Sequence, residues 1–77
     1  MTNQEVIERV NLWQNTGFVH PLTCGNDSQH QNLIAKEFDG KVLLTCVDCD
    51  YIQDWIPPEV LSNYVEEVHK GNLPKAR

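Results

Sequence analysis

Three cysteines in a chain of 77 residues constrain what this protein can fold into more than any other feature of its sequence. All three fall between positions 24 and 49, in the order Cys24-x5-His30 and then Cys46-Val-Asp-Cys49. An odd number cannot all pair as disulfides. A Cys-x2-Cys pair lets two thiolates point from one tight turn at a single ion. A redox pair would go with a βαβ pattern, whereas Cys49 is followed by a strand-like run rather than a long helix. Three thiolates and one imidazole complete a tetrahedral Zn²⁺ shell, so the spacing predicts one structural zinc site.

Two histidines compete for the fourth position. His30 follows Cys24 across Gly25-Asn-Asp-Ser-Gln29, a run of turn formers that can fold the chain back on itself. It lies three residues before Leu33, just ahead of an outgoing strand, and is the expected ligand. His20 is the alternative, but Pro21 restricts its backbone to extended conformations and makes a joint turn with Cys24 harder. As a non-ligand, His20 would pack near Trp55 or hydrogen-bond a ligand sulfur. His69 sits in the last turn of a predicted helix, where a cation suits the dipole.

The length itself creates a need for such an ion. A chain this short forms one small domain, and small domains often require a metal or another staple. Structural zinc supplies on the order of 10 kcal/mol of apparent binding energy in finger-type peptides, as much as a whole domain's net stability. No apolar run reaches membrane-spanning length, and Met1-Thr-Asn-Gln-Glu lacks the basic start and apolar core of an export signal. Free thiols without such a signal imply a reducing cytoplasm.

Read in order, the chain opens on Thr2-x-x-Glu5, a capping box. Val6, Ile7, Val10 and Trp13 follow at helical spacing, and Gly17 supplies a stop, so residues 3–15 are predicted to form an amphipathic helix. Residues 33–38 and 41–46 are β-prone and flank Asp39-Gly40, whose two positions both suit positive φ. That is a strong hairpin signal, and it carries the chain from the first half of the site to the second. Tyr51-Ile-Gln-Asp-Trp55 reads as a third strand, with Tyr51, Gln53 and Trp55 on one face covering the metal and core. Pro57-Pro58 and Glu59 start a second helix over 57–70, with Val60, Leu61, Tyr64, Val65 and Val68 as its apolar stripe and Gly71 as its cap. Residues 71–77 read as a frayed polar tail.

Cys24…His30…Cys46-x2-Cys49, a hairpin between the halves and Tyr51 two residues after the last cysteine together resemble a zinc ribbon. The strings His20-Pro-Leu-Thr-Cys-Gly and Leu43-Leu-Thr-Cys-Val-Asp-Cys-Asp-Tyr-Ile-Gln are similar to small, mostly uncharacterised bacterial and phage zinc-ribbon proteins. The resemblance covers residues 18–56 and departs from the common ribbon in its first knuckle, Cys-x5-His in place of Cys-x2-Cys. With the helices read on either side of it, the resemblance gives an α+β fold: a three-stranded antiparallel sheet with two zinc knuckles, flanked by N- and C-terminal helices. It implies no particular activity, since ribbons serve nucleic-acid, protein and structural roles alike.

Charge and motif separate those roles. Eleven Asp/Glu against six Lys/Arg give a formal −5, and residues 1–69 hold only Arg9, Lys36 and Lys41 as fixed cations. Phosphate binding depends on such cations, which disfavours nucleic acid. Neither a deaminase His-x-Glu, a His-Glu-x-x-His, a phosphate loop nor a nucleophile elbow occurs, so an enzyme is not expected. Asp48, Asp50 and Asp54 around the second knuckle read as solvated. The expectation is a protein-interaction module that engages another protein, or its own copy, through Val6/Ile7/Val10/Trp13 and Val60/Leu61/Tyr64/Val68. The alternative is a nucleic-acid-binding ribbon that uses Tyr51, Trp55 or the basic tail.

Overall fold

The first helix, α1 (Asn3–Asn15), begins where its capping box sets it. Thr2 is extended, its hydroxyl accepts from the Glu5 amide at 3.1 Å, and the Glu5 carboxylate accepts from the Thr2 amide at 3.2 Å. Two otherwise free donors are thereby satisfied together. The computed structural model describes residues 1–74, and the expected tail residues 75–77 lie outside the described part. After α1 come β1 (Ile34–Phe38), β2 (Lys41–Thr45), β3 (Ile52–Gln53), α2 (Pro58–Leu61) and α3 (Tyr64–His69). None of these helices is long and apolar enough to cross a membrane.

The strands form one antiparallel sheet in the order β1-β2-β3. Its hairpin turn is the Asp39-Gly40 pair, with φ of 49° and 80°, and Phe38 pairs with Lys41 across it. Both turn residues are left-handed, so the turn follows the natural twist of the strands. The third strand is shorter than the sequence suggests, two residues rather than the five from Tyr51 to Trp55. Beyond Gln53 the chain leaves β2: the Gln53 side-chain Nε2 donates to the Trp55 carbonyl at 2.9 Å, and two prolines follow. Proline offers no N–H for a ladder. Trp55 is accordingly 61 % exposed and covers neither core nor metal, in contrast to the expected aromatic face.

The predicted helix over 57–70 is two helices. Ser62 is extended at ψ 174°, its hydroxyl donates to the Glu59 carbonyl at 2.7 Å, and the same oxygen accepts from the Tyr64 amide at 3.2 Å. A short polar side chain that competes for backbone partners ends one helix and opens the next. The end of α3 does follow expectation: Gly71 at φ 85° receives the chain, with bonds from its amide to Val68 and from Asn72 to Glu67. Residues 72–74 are tied down rather than frayed. Asn72 donates to the Glu67 carboxylate at 2.6 Å, and the Tyr64 hydroxyl donates to the Pro74 carbonyl at 2.9 Å.

Helix α1 is the middle layer, touching β1 and β2 on one side and α2 on the other. Val10 is fully buried in one core with Leu33, Leu44, Val60, Cys24 and Cys46. The second apolar stripe therefore finds room on α1 rather than on the sheet. Arg9 fastens this stack, donating to the Ser62 carbonyl at 2.8 Å and pairing with Glu66 at 2.7 Å. At the far end Phe18 meets the rings of Tyr64 and His69, and the His69 ring reaches the Thr16 hydroxyl at 3.1 Å.

Candidate metal centre

The site is built from two turns and the segments that present them. In the first, the Asp27 carboxylate accepts from the Gln29 amide at 2.9 Å, and the His30 amide donates to the Asp27 carbonyl at 3.1 Å. This Asx-type turn reverses the chain between Cys24 and His30. The second turn is closed by the Cys46 amide donating to the Tyr51 carbonyl at 3.1 Å, so Cys46 and Cys49 lie on one loop. Asp48 joins the two, since its carboxylate accepts from the Gln31 amide at 2.8 Å. It is exposed, as expected of it, yet it is also a tie between the knuckles.

Cys24, His30, Cys46 and Cys49 converge, with their donor atoms all within 4.8 Å of one another. Cys24 Sγ lies 3.5 Å from Cys49 Sγ, and Cys46 Sγ lies 3.5 Å from His30 Nδ1. A sulfur-ligated tetrahedral site with bonds of about 2.3 Å has edges of about 3.8 Å, so the donors fit one ion. A disulfide would need sulfurs at about 2.05 Å, and all three thiols are free. The four residues are thus positioned to hold one metal ion.

His20 is not in this cluster. It is exposed, its carbonyl accepts from the Trp13 indole at 3.0 Å, and it lines a groove beside Trp13 rather than packing near Trp55. His30 turns Nδ1 toward Cys46 and Nε2 toward Asp27, 3.7 Å from its carboxylate. A carboxylate on the outer ring nitrogen favours the tautomer with Nδ1 free to ligate.

Backbone amides surround the sulfurs. The Asn26 amide donates to Cys24 Sγ and the Asp48 amide to Cys46 Sγ, each at 3.4 Å, while the Asn26 side chain reaches Cys49 Sγ at 3.7 Å. Burial opposes ionisation of Cys24, but the Asn26 and Asp27 amides and the Cys49 and Cys46 thiols outweigh it and lower its pKa. Burial raises the Cys46 pKa, the Cys24 and Cys49 thiols add to that, and the Asp48 and Cys49 amides offset only part. A cation among the three would favour every thiolate at once.

No family model, curated protein or solved structure matches this chain. The site is therefore defined by its own geometry.

Two neighbours of the site were not singled out by sequence. The Gln14 side chain donates to the carbonyls of Leu22 and Leu33 at 3.0 and 2.8 Å and accepts from the Leu22 amide at 2.7 Å. One helix side chain thus holds both arms of the first knuckle, which also meet through Leu33 N and Leu22 O at 2.9 Å. Gly25 is the other. A Cβ there would lie 2.6 Å from the Tyr51 ring, so the ring closes over the first knuckle only because that side chain is absent.

Proposed function

We propose that the cluster holds a single structural Zn²⁺ in a zinc ribbon, and that the chain serves as a protein-interaction module. Three thiolates and an imidazole suit zinc in both softness and geometry. Four protein donors fill a tetrahedral shell, which supports a structural ion rather than a catalytic one with an open position. The ligands Cys24 and Cys46 also belong to the hydrophobic core, so the ion completes the same core that α1 and α2 cover. Thiolate ligands fit a reducing compartment such as the cytoplasm.

The observation that carries the interaction reading is a groove of about 610 Å³ between α1 and the start of the C-terminal helices, lined by Trp13, Val19, His20, Pro58, Glu59, Ser62 and Tyr64. Its walls include one aromatic from each of the two apolar stripes. Their ends are fixed, Trp13 on the His20 carbonyl and Tyr64 on the Pro74 carbonyl. Pre-fixed aromatic side chains are the usual anchors of protein interfaces. The nucleic-acid alternative has little charge to work with, because Arg9 is already paired with Glu66 and leaves two fixed cations before residue 70.

The test compares wild type with Trp13→Ala and with Glu59→Arg, both checked for metal content and helical signal. Specific protein capture, or a concentration-dependent dimer, should be lost in both variants. Tight oligonucleotide binding at about 150 mM salt, with no protein capture, contradicts the reading.

A further inference from the structure

The sheet has a second face that the fold leaves largely exposed, although Leu43 and Thr45 on it are half-buried. Strand register places Ile34, Thr45 and Ile52 in one cross-strand row, Lys36 and Leu43 in the next, and Phe38 and Lys41 in the last. Side chains alternate along a strand, so all seven point away from the face that carries Ala35 and Leu44. Ala35 and Leu44 pack into the core under α1. On the second face Ile34, Phe38 and Ile52 are 36, 50 and 57 % exposed.

Charge is distributed unevenly around this face. The protein carries a formal −5, yet this face holds both Lys36 and Lys41. Among the described residues Arg9 pairs with Glu66 and Lys70 lies 3.9 Å from Glu67, whereas neither sheet lysine has an ion pair. Lys36 and Lys41 are diagonal neighbours across the β1–β2 ladder, about 7–8 Å apart at the backbone. Leu43 and Phe38 fill the other two corners of that square.

We infer that this face docks an acidic, apolar segment of another protein, with two carboxylates meeting Lys36 and Lys41 while apolar side chains cover Ile34, Phe38, Leu43 and Ile52. Carboxylates two residues apart on a strand, or one turn apart on a helix, have roughly the right separation. A second copy of this chain is the poorer occupant, because a two-fold face-to-face contact brings two positively charged faces together with no carboxylate in either set of seven residues. A continuous polyanion is poorer as well, because two cations neutralise few phosphates. The inference does not depend on the helical groove.

The probe is a fluorescein-labelled amphipathic peptide built from Glu, Leu and Phe, titrated into the metal-loaded protein and followed by anisotropy. Saturable binding is expected, weakened about tenfold or more by Lys36→Glu with Lys41→Glu and also by higher salt. Phe38→Ala should weaken it too, and Glu59→Arg in the groove should leave it unchanged. Amide shifts in the labelled protein should fall on residues 34–45 and 52. If the charge reversal fails to fold, Lys36→Gln with Lys41→Gln serves in its place. The inference is overturned if neither charge change weakens binding, or if the shifts map to the groove. It is equally overturned if thymidine oligonucleotides or anionic phosphatidylserine vesicles bind this face more tightly than the peptide, or if the face drives a dimer.

Discussion

The two ends of this molecule share one apolar core but differ in what else holds them. At the helical end, Val10, Leu44 and Val60 are buried between α1, the sheet and α2, and the order there is that of a small apolar core. At the knuckle end, residues 18–33 and 46–51 contain no regular helix or strand. Cys24, Leu33 and Cys46 reach into the core from here, and the rest of the backbone is fixed by individual polar bonds from Gln14, Asp27 and Asp48, and by four donors that converge on one point. Apolar burial is spread over many contacts and degrades gradually. A ligand cluster concentrates its stabilisation in one place, so losing one member should be felt throughout the loops it gathers.

The sharpest way to break that contrast is to remove one ligand. His30→Ala should reduce metal retention against a competing chelator by well over 100-fold, beyond what the loss of an outer-shell partner does. His20→Ala should leave retention unchanged. Equal losses in the two variants would erase the distinction between them. In His30→Ala the amides of residues 18–33 and 46–51 should lose protection from hydrogen exchange before those of α1.

Next in size is the helical end. Leu44→Ala removes a fully buried side chain and should destabilise the protein by about 2–5 kcal/mol in denaturant titrations of the metal-loaded form. Metal stoichiometry should be unaffected. A smaller effect is expected within the knuckle end, where its two loops meet: Gly25→Ala drives a methyl into the Tyr51 ring, whose hydroxyl donates to Gln53 at 3.0 Å. Displacing that ring should cost about 1–3 kcal/mol and speed metal release.

The smallest effect belongs to the helix start. Thr2→Ala should cost about 1 kcal/mol by loss of the cap. Glu5 is the pH-sensitive half of the same device: its hydrogen bond from the Thr2 amide, then that from the Thr2 side chain, hold its carboxyl below the ordinary value. A lowered folded-state pKa stabilises the fold above the unfolded value and ceases to do so as pH falls through the folded one. The Glu5 contribution should therefore be complete at neutral pH and fade in acid below about pH 4.5, a fading that Glu5→Gln removes.

What could be read from the sequence was whatever rests on local chemistry. Thr2 and Glu5 set the start of α1, Asp39-Gly40 set the hairpin, and the run of turn formers brought His30 rather than His20 to the cysteines. Each of these needs only a few neighbouring residues. Pattern and structure part where a polar side chain overrides the regular periodicity. Ser62 lies within an apolar periodicity that favours one continuous helix, and only its bonds to Glu59 and Tyr64 divide it. Gln53 and the two prolines cut β3 short in the same way. The work of Gln14 was illegible for another reason, since its partners at Leu22 and Leu33 are near it only once the first knuckle has closed.

The central claim is that Cys24, His30, Cys46 and Cys49 hold one ion. X-ray absorption at the metal edge of the purified protein, together with elemental analysis, tests it most directly. The account predicts one zinc per chain, with three sulfurs at about 2.3 Å and one nitrogen at about 2.0–2.1 Å. A shell rich in oxygen, metal well below one equivalent, or a disulfide between Cys24 and Cys49 in the native protein would contradict it.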